Sequence, residues 1–108
     1  MQTEKLLNAV ISISTSGSNE IIAAPSSGYI VIEHINLIPT AASDVTFLSG
    51  TTELSGAYPF DAKQALVLEN TYNDEDGIMK CANEEAFNIT LGTATQTSGF
   101  VKYRIKGL

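Results

Sequence analysis

The chain has 108 residues, twelve Asp and Glu against six Lys and Arg, and a formal net charge of −6. One domain accounts for that length. The 44% apolar content is that of a globular chain rather than a disordered one, and the acidic balance argues against a nucleic-acid binder, which needs a basic face to displace counterions. No apolar run approaches the ~20 residues of a membrane-crossing helix.

The start, MQTEKLLNAVISIST, has a short apolar stretch with no basic segment ahead of it, because Lys5 follows Glu4 and Asn8 interrupts. It reads as a mature N-terminus leading into a first strand rather than a signal peptide. Leu6–Ser14 is that strand, with Leu7, Ala9, Ile11 and Ile13 alternating against Asn8, Ser12 and Ser14. Thr15–Asn19 reads as a turn and Glu20–Ala24 as a short second strand. Pro25-Ser26-Ser27-Gly28 is a strong turn signal that delivers the chain into Tyr29–Ile38.

Tyr29–Ile38, YIVIEHINLI, is the most apolar stretch of the chain. Strict alternation puts Tyr29, Val31, Ile35 and Leu37 on one face and Ile30, Ile32 and Ile38 on the other. A strand apolar on both faces reads as a central strand covered twice, by a second layer on one side and by a neighbouring subunit on the other. By the same alternation Glu33 and His34 point to opposite faces. His34 is the single histidine, with no G-x-S-x-G or other nucleophile motif to serve, so it reads as a hydrogen-bonded residue at a strand or subunit contact.

Asp44–Leu48 and Thr52–Ser55 flank Ser49-Gly50-Thr51, a hairpin signature. Ala57–Asp61 contains Pro59, which cannot donate to a ladder, so it is irregular or an edge. Tyr58 and Phe60 around that proline are either a core plug beneath a loop or a partner contact, since aromatics are favoured at interfaces. Asp61–Val67 is the best helical candidate, about two turns at most, and overlaps a strand at Gln64–Glu69. Asn73-Asp74-Glu75-Asp76-Gly77 gathers oxygen-bearing side chains, but Tyr72 and Asn83 stand where the first and last ligands of an EF-hand loop belong. It reads as a solvated acidic loop with no metal.

Ile78–Ala82 and Ala86–Leu91 are further strands. The single cysteine, Cys81, excludes an internal disulfide, suits a reducing cytosol, and reads as a small buried hydrophobe rather than a reactive thiol. Asn88-Ile89-Thr90 matches a glycosylation acceptor by chance, inside a strand. The last strand, Gly99–Lys106, separates Val101, Tyr103 and Ile105 from Lys102, Arg104 and Lys106. Six of the twelve acids lie in Glu69–Glu85, opposed there by Lys80 alone. Eight or nine short strands punctuated by turns predict an all-β, single-domain antiparallel β-sandwich over residues 1–108, of jelly-roll type with about eight strands.

The second half has a further ordered pattern: Gly50-Thr51-Thr52, Leu54-Ser55-Gly56, Tyr58-Pro59, Leu66-Val67-Leu68, Glu85-Ala86-Phe87-Asn88 and Ser98-Gly99-Phe100-Val101-Lys102-Tyr103-Arg104. In that order these pieces resemble a group of small structural proteins of tailed bacteriophages. The resemblance covers a little over half the chain. It implies a non-enzymatic virion protein on the capsid surface, made in the host cytoplasm. Such a protein is a trimer that decorates and cements assembled shells of a major capsid protein, with no cofactor, nucleic acid or membrane. The candidate partner contacts are Tyr58, Phe60, Tyr72, Asp74, Asp76, Lys102, Arg104 and Lys106. The alternative is a tail or head-fibre module that binds a host-surface glycan through exposed aromatics. A cupin-like metal enzyme would need a histidine-rich ligand set, and the chain has one histidine.

Overall fold

The computed structural model describes residues 5–72 and 74–107. The strands among them are β1 (Leu7–Ile13), β2 (Gly17–Ile22), β3 (Tyr29–Pro39), β4 (Ser43–Ser49), β5 (Thr52–Glu53), β6 (Tyr58–Phe60), β7 (Leu66–Glu69), β8 (Met79–Lys80), β9 (Phe87–Leu91) and β10 (Thr97–Lys106). All pair antiparallel. The front sheet has the order β1-β10-β3-β7, with β8 also on β3, and the back sheet β2-β9-β4-β5, with β6 also on β4. The chain crosses between sheets at almost every step, and two four-stranded layers wound in this order are the jelly roll expected from the sequence. The strand count exceeds eight because two outer strands are each broken into short pieces.

Local chemistry sets the breaks. Gly50, at φ +57°, and Thr51 form the two-residue turn between Ser49 and its partner Thr52. Pro59 lies opposite Asp44 on β6, which pairs with β4 alone, so its missing N–H faces no second strand. The helical candidate Asp61–Val67 is instead a tight turn followed by β7. Gln64 N–H donates to the Asp61 carbonyl at 3.2 Å, and Lys63 adopts φ +61°, a conformation that ends any helix. The second strand starts earlier than expected, at Gly17. Asn19 supports that corner by donating from Nδ2 to the Thr15 carbonyl at 2.8 Å.

β3 corrects the sequence reading most. It pairs with β10 so that His34 faces Lys102 and Ile32 faces Tyr103, which leaves Glu33 as an extra residue. This β-bulge resets the parity of side chains along the strand. Ile30 and Ile32 before it and Ile35 and Leu37 after it all enter one core, each 2% exposed or less. The strand is therefore not apolar on two complete faces. Its other side keeps Tyr29, Val31, His34, Asn36 and Ile38. Glu33 reaches that same outer side, where its carboxylate lies 3.5 Å from Arg104 Nε and accepts from Asn70 Nδ2 at 2.9 Å.

The core lies between the sheets, with Val101, Ile11 and the four β3 residues in front and Val45, Phe47, Phe87, Ile89 and Leu91 behind. Phe87, Phe47, Tyr58 and Phe60 form a continuous row of rings on the inner side of the back sheet, with centroids 6.0–6.2 Å apart. Each such pair adds about 0.5–1.5 kcal/mol beyond simple burial. Tyr58 and Phe60 are thus a core plug, and Phe60, 7% exposed, is not a surface contact.

Gly77 pins the acidic loop to the back of β3. Its φ is +64°, and a Cβ there would collide with the Ile32 carbonyl oxygen and stand 2.7 Å from Val31 Cγ1. Gly56 has a similar place in the sequence pattern but open space around it. Gly77→Ala should therefore destabilise by at least about 1 kcal/mol while Gly56→Ala stays within about 0.5. Ile35→Ala should cost about 2–5 kcal/mol. Urea denaturation of the three variants checks this ranking, and an unaffected midpoint for Gly77→Ala would contradict the close approach.

Candidate interaction surface

The two outer faces of the sandwich differ in chemistry. On the back sheet, Ser18 faces Thr90 and Thr90 faces Thr46, while Glu20 faces Asn88 and Asn88 faces Leu48. That face is polar apart from Leu48, which is 9% exposed, and the exposed Pro59 opposite Asp44. On the front sheet one row of facing residues is Val10, Phe100, Asn36 and Val67, and the next is Asn8, Lys102, His34 and Glu69. Five large hydrophobics are exposed among the described residues. Val10 at 71%, Val67 at 57% and Ile38 at 41% lie on this front face, and Leu6 continues the Asn8–Val10 side of β1. Only Tyr72, in the acidic loop, lies elsewhere.

Polar groups border the apolar rows. The His34 ring stacks on Phe100 with centroids 5.3 Å apart and planes 7° from parallel. Its Nδ1 lies 3.4 Å from Glu69 Oε1. Lys102 Nζ sits 5.9 Å from the centre of the Phe100 ring. Beside them, Asn36, Ile38, Ala65, Val67, Ser98 and Gly99 enclose most of a shallow depression of about 370 Å³. Asn36 Oδ1 accepts from Phe100 N–H at 3.2 Å and fixes the floor. A flat, partly apolar face with ordered charges at one end is suited to docking against another surface. It offers no enclosed site for a small molecule.

The residues singled out from sequence fall into three groups. Phe60 is in the core, and Tyr58, partly buried, packs against it. Lys102, Arg104 and Lys106 stand together on the outer side of β10, as the alternation predicts. Tyr72, Asp74 and Asp76 lie in the acidic loop, exposed. The loop and the basic strand meet within one chain, since Lys106 Nζ donates to the Glu75 carbonyl at 2.7 Å; Arg104 pairs instead with Glu33 of β3. Asp76 Oδ2 lies 3.5 Å from Lys80 Nζ, and Asp74 Oδ1 accepts from Asp76 N–H at 3.0 Å. Asn73 lies outside the described residues. Among the described residues no group of three or more His, Cys, Asp or Glu converges as a metal site would require. Val10, Val67, Ile38 and Phe100 went unrecognised as surface residues. The signal was available in Val10, which breaks the alternation of its strand on the polar side.

Cys81 lies at the far end of the core, 3% exposed. Burial, and then the nearby Glu85 carboxylate, push its thiol from 9.0 up to about 11, against the opposing hydrogen bond with Ser49. Ser49 Oγ in turn donates to Glu85 Oε1 at 2.6 Å and accepts from Ala82 N–H at 2.9 Å.

No protein-family model matches the chain, and no curated protein and no solved structure matches it.

The thiol holds its proton more tightly folded than unfolded, so its contribution to stability is complete below about pH 9 and is lost between pH 9 and about 11. The denaturation midpoint of the natural chain should fall more steeply across that window than the midpoint of Cys81→Ala. Ellman's reagent should leave the native thiol untouched at neutral pH and titrate it fully in denaturant. Rapid labelling of the folded chain would contradict the burial.

Proposed function

We propose that this chain is a non-enzymatic structural protein that works by docking, and that it decorates and stabilises an assembled bacteriophage capsid. The observation that carries the docking part is the front face, where Val10, Val67 and Ile38 stay exposed around the stacked His34 and Phe100 while the back face is polar. Isolated exposed hydrophobics are ordinary on a monomer, but several on one sheet face mark a surface with a partner. The capsid part rests on the resemblance of Gly50–Lys106 to small phage structural proteins.

The mechanism needs no chemistry. A protein that binds only the assembled shell stabilises that state by mass action. Modest contacts to several shell subunits at once add through effective concentration rather than through any one strong site. The glycan-binding alternative calls for exposed aromatics on which sugars stack. Of the three it invoked, Phe60 is buried and Tyr58 partly buried in the row of rings, and Tyr72 alone is fully exposed, at 94%.

The test is co-sedimentation with empty phage shells and, in parallel, with unassembled capsid protein. The chain is expected to pellet with shells and to ignore free subunits. A chain that stays in the supernatant with both removes the decoration reading. Separately, EDTA or millimolar Ca²⁺ should leave the melting temperature unchanged, because Asp74 and Asp76 already bond within the loop and to Lys80. A bound ion at about 100 times its Kd would add about 2.7 kcal/mol and raise the melting temperature by several degrees.

A further inference from the structure

We propose that the front face is covered by a second copy of this chain, related by a two-fold axis that runs along the strands between β10 and β3. This rests on the reading of that face as a docking surface and names its occupant as a second copy, so that contacts with a shell fall to the surfaces the pair leaves open.

The order of residues across the face sets the axis. The strands run β1, β10, β3, β7. A two-fold axis along the strands, midway across the sheet, lays β1 on β7 of the second copy and β10 on its β3. Each row then meets the same row reversed. In the first row Val10 comes over Val67 of the second copy and Phe100 over its Asn36. In the next, Lys102 comes over His34 of the second copy, one strand spacing from its Glu69. The other two-fold axis in the plane of the face runs across the strands and reverses the order of the rows. It would lay the Ile38 and Ser98 end over the end that holds Glu33, Arg104 and Lys80. Charges would be stripped of water there against apolar groups, at a cost nothing offsets. Of the two axes, the first keeps the apolar row of each copy over the same row of the other.

Charge gives a second line. Within one chain Lys102 Nζ touches the Phe100 ring but has no carboxylate within ion-pair distance among the described residues. Glu69 meets only His34, and its side chain is 57% exposed. β3 separates the two, which puts their strands about 9–10 Å apart. The two-fold axis brings Lys102 of each copy to Glu69 of the other and forms the pair twice, as an isologous contact does. Charge pairs of this kind fix orientation. Such a contact closes at two copies, in place of the three-fold arrangement that the resemblance implies.

Sedimentation at about 100 μM, where a contact of micromolar Kd is filled, should give twice the 11.5 kDa chain mass. Lys102→Glu and Glu69→Lys each place like charges at both symmetric contacts and should each weaken self-association by roughly tenfold or more. An equimolar mixture of the two single variants should regain a mixed dimer, since each then supplies the charge the other lacks. That recovery also shows that both variants are folded. A monomeric natural chain, a trimer, or a mixture that fails to recover would each overturn the two-fold contact. Shell binding is read separately. A monomer that pellets with shells defeats this inference and leaves the decoration reading standing. A dimer that ignores shells does the reverse.

Discussion

The bulge at Glu33 is the constraint on which the rest of the sandwich depends. An eleven-residue strand without it would divide its aliphatic residues between two faces, and only one of those faces has a core to fill. One inserted residue turns the second half of β3 over. Ile30, Ile32, Ile35 and Leu37 then share a single interior with Val101 and the back sheet. The extra residue is a glutamate, and it is held from two sides. Asn70 donates to both its carbonyl and its carboxylate, and Arg104 lies against the remaining oxygen. The group that spoils the regular ladder is thus the anchor for the acidic loop, which in turn covers Val31 through Gly77.

The consequence at the surface is a difference between the two layers. Both sheets send their aliphatic residues inward, but the front sheet also keeps Val10, Ile38 and Val67 outside, around a stacked imidazole and phenyl pair. Surfaces of this composition lose water readily, and the border of Lys102, His34 and Glu69 limits the directions from which another surface can approach. The basic strand and the acidic loop, which sequence alone treats as two separate poles, touch within the chain through Lys106 and the Glu75 carbonyl, while Arg104 pairs with Glu33 and Asp76 with Lys80. That leaves Lys102 and Glu69 as the charges with least local compensation on the front face.

Much of the fold was legible because alternation and turn chemistry report local facts. Val101, Tyr103 and Ile105 against Lys102, Arg104 and Lys106 needed no tertiary information, nor did the Gly50–Thr51 turn. The bulge was not legible, since an extra residue leaves no mark of its own in an aliphatic run and shows only as a pattern that fits neither face. Asp61–Val67 suggested a helical turn because its residues are good helix formers; tertiary pairing of Leu66–Glu69 with β3 overrode that preference. The front-face patch was missed for a related reason. Val10, Phe100, Asn36 and Val67 lie on four strands far apart in sequence, and only the pairing of those strands makes them neighbours.

The order of strands also bears on how the chain reaches this state. β10 fills the gap between β1 and β3, so a central strand of the front sheet is synthesised after the other strands of that sheet. Until it arrives, β1 and β3 have no common neighbour, and Ile35 and Ile32 lack the Val101 and Tyr103 that face them. Pairings that join such distant segments form slowly, because the entropy of closing long loops is lost before the contacts return anything. During that interval an emerging chain presents β3, its most aliphatic strand, with one edge open, since β7 and β8 already pair on the other. That edge and the facing edge of β1, which both receive β10 in the finished protein, are until then open to any other extended strand nearby.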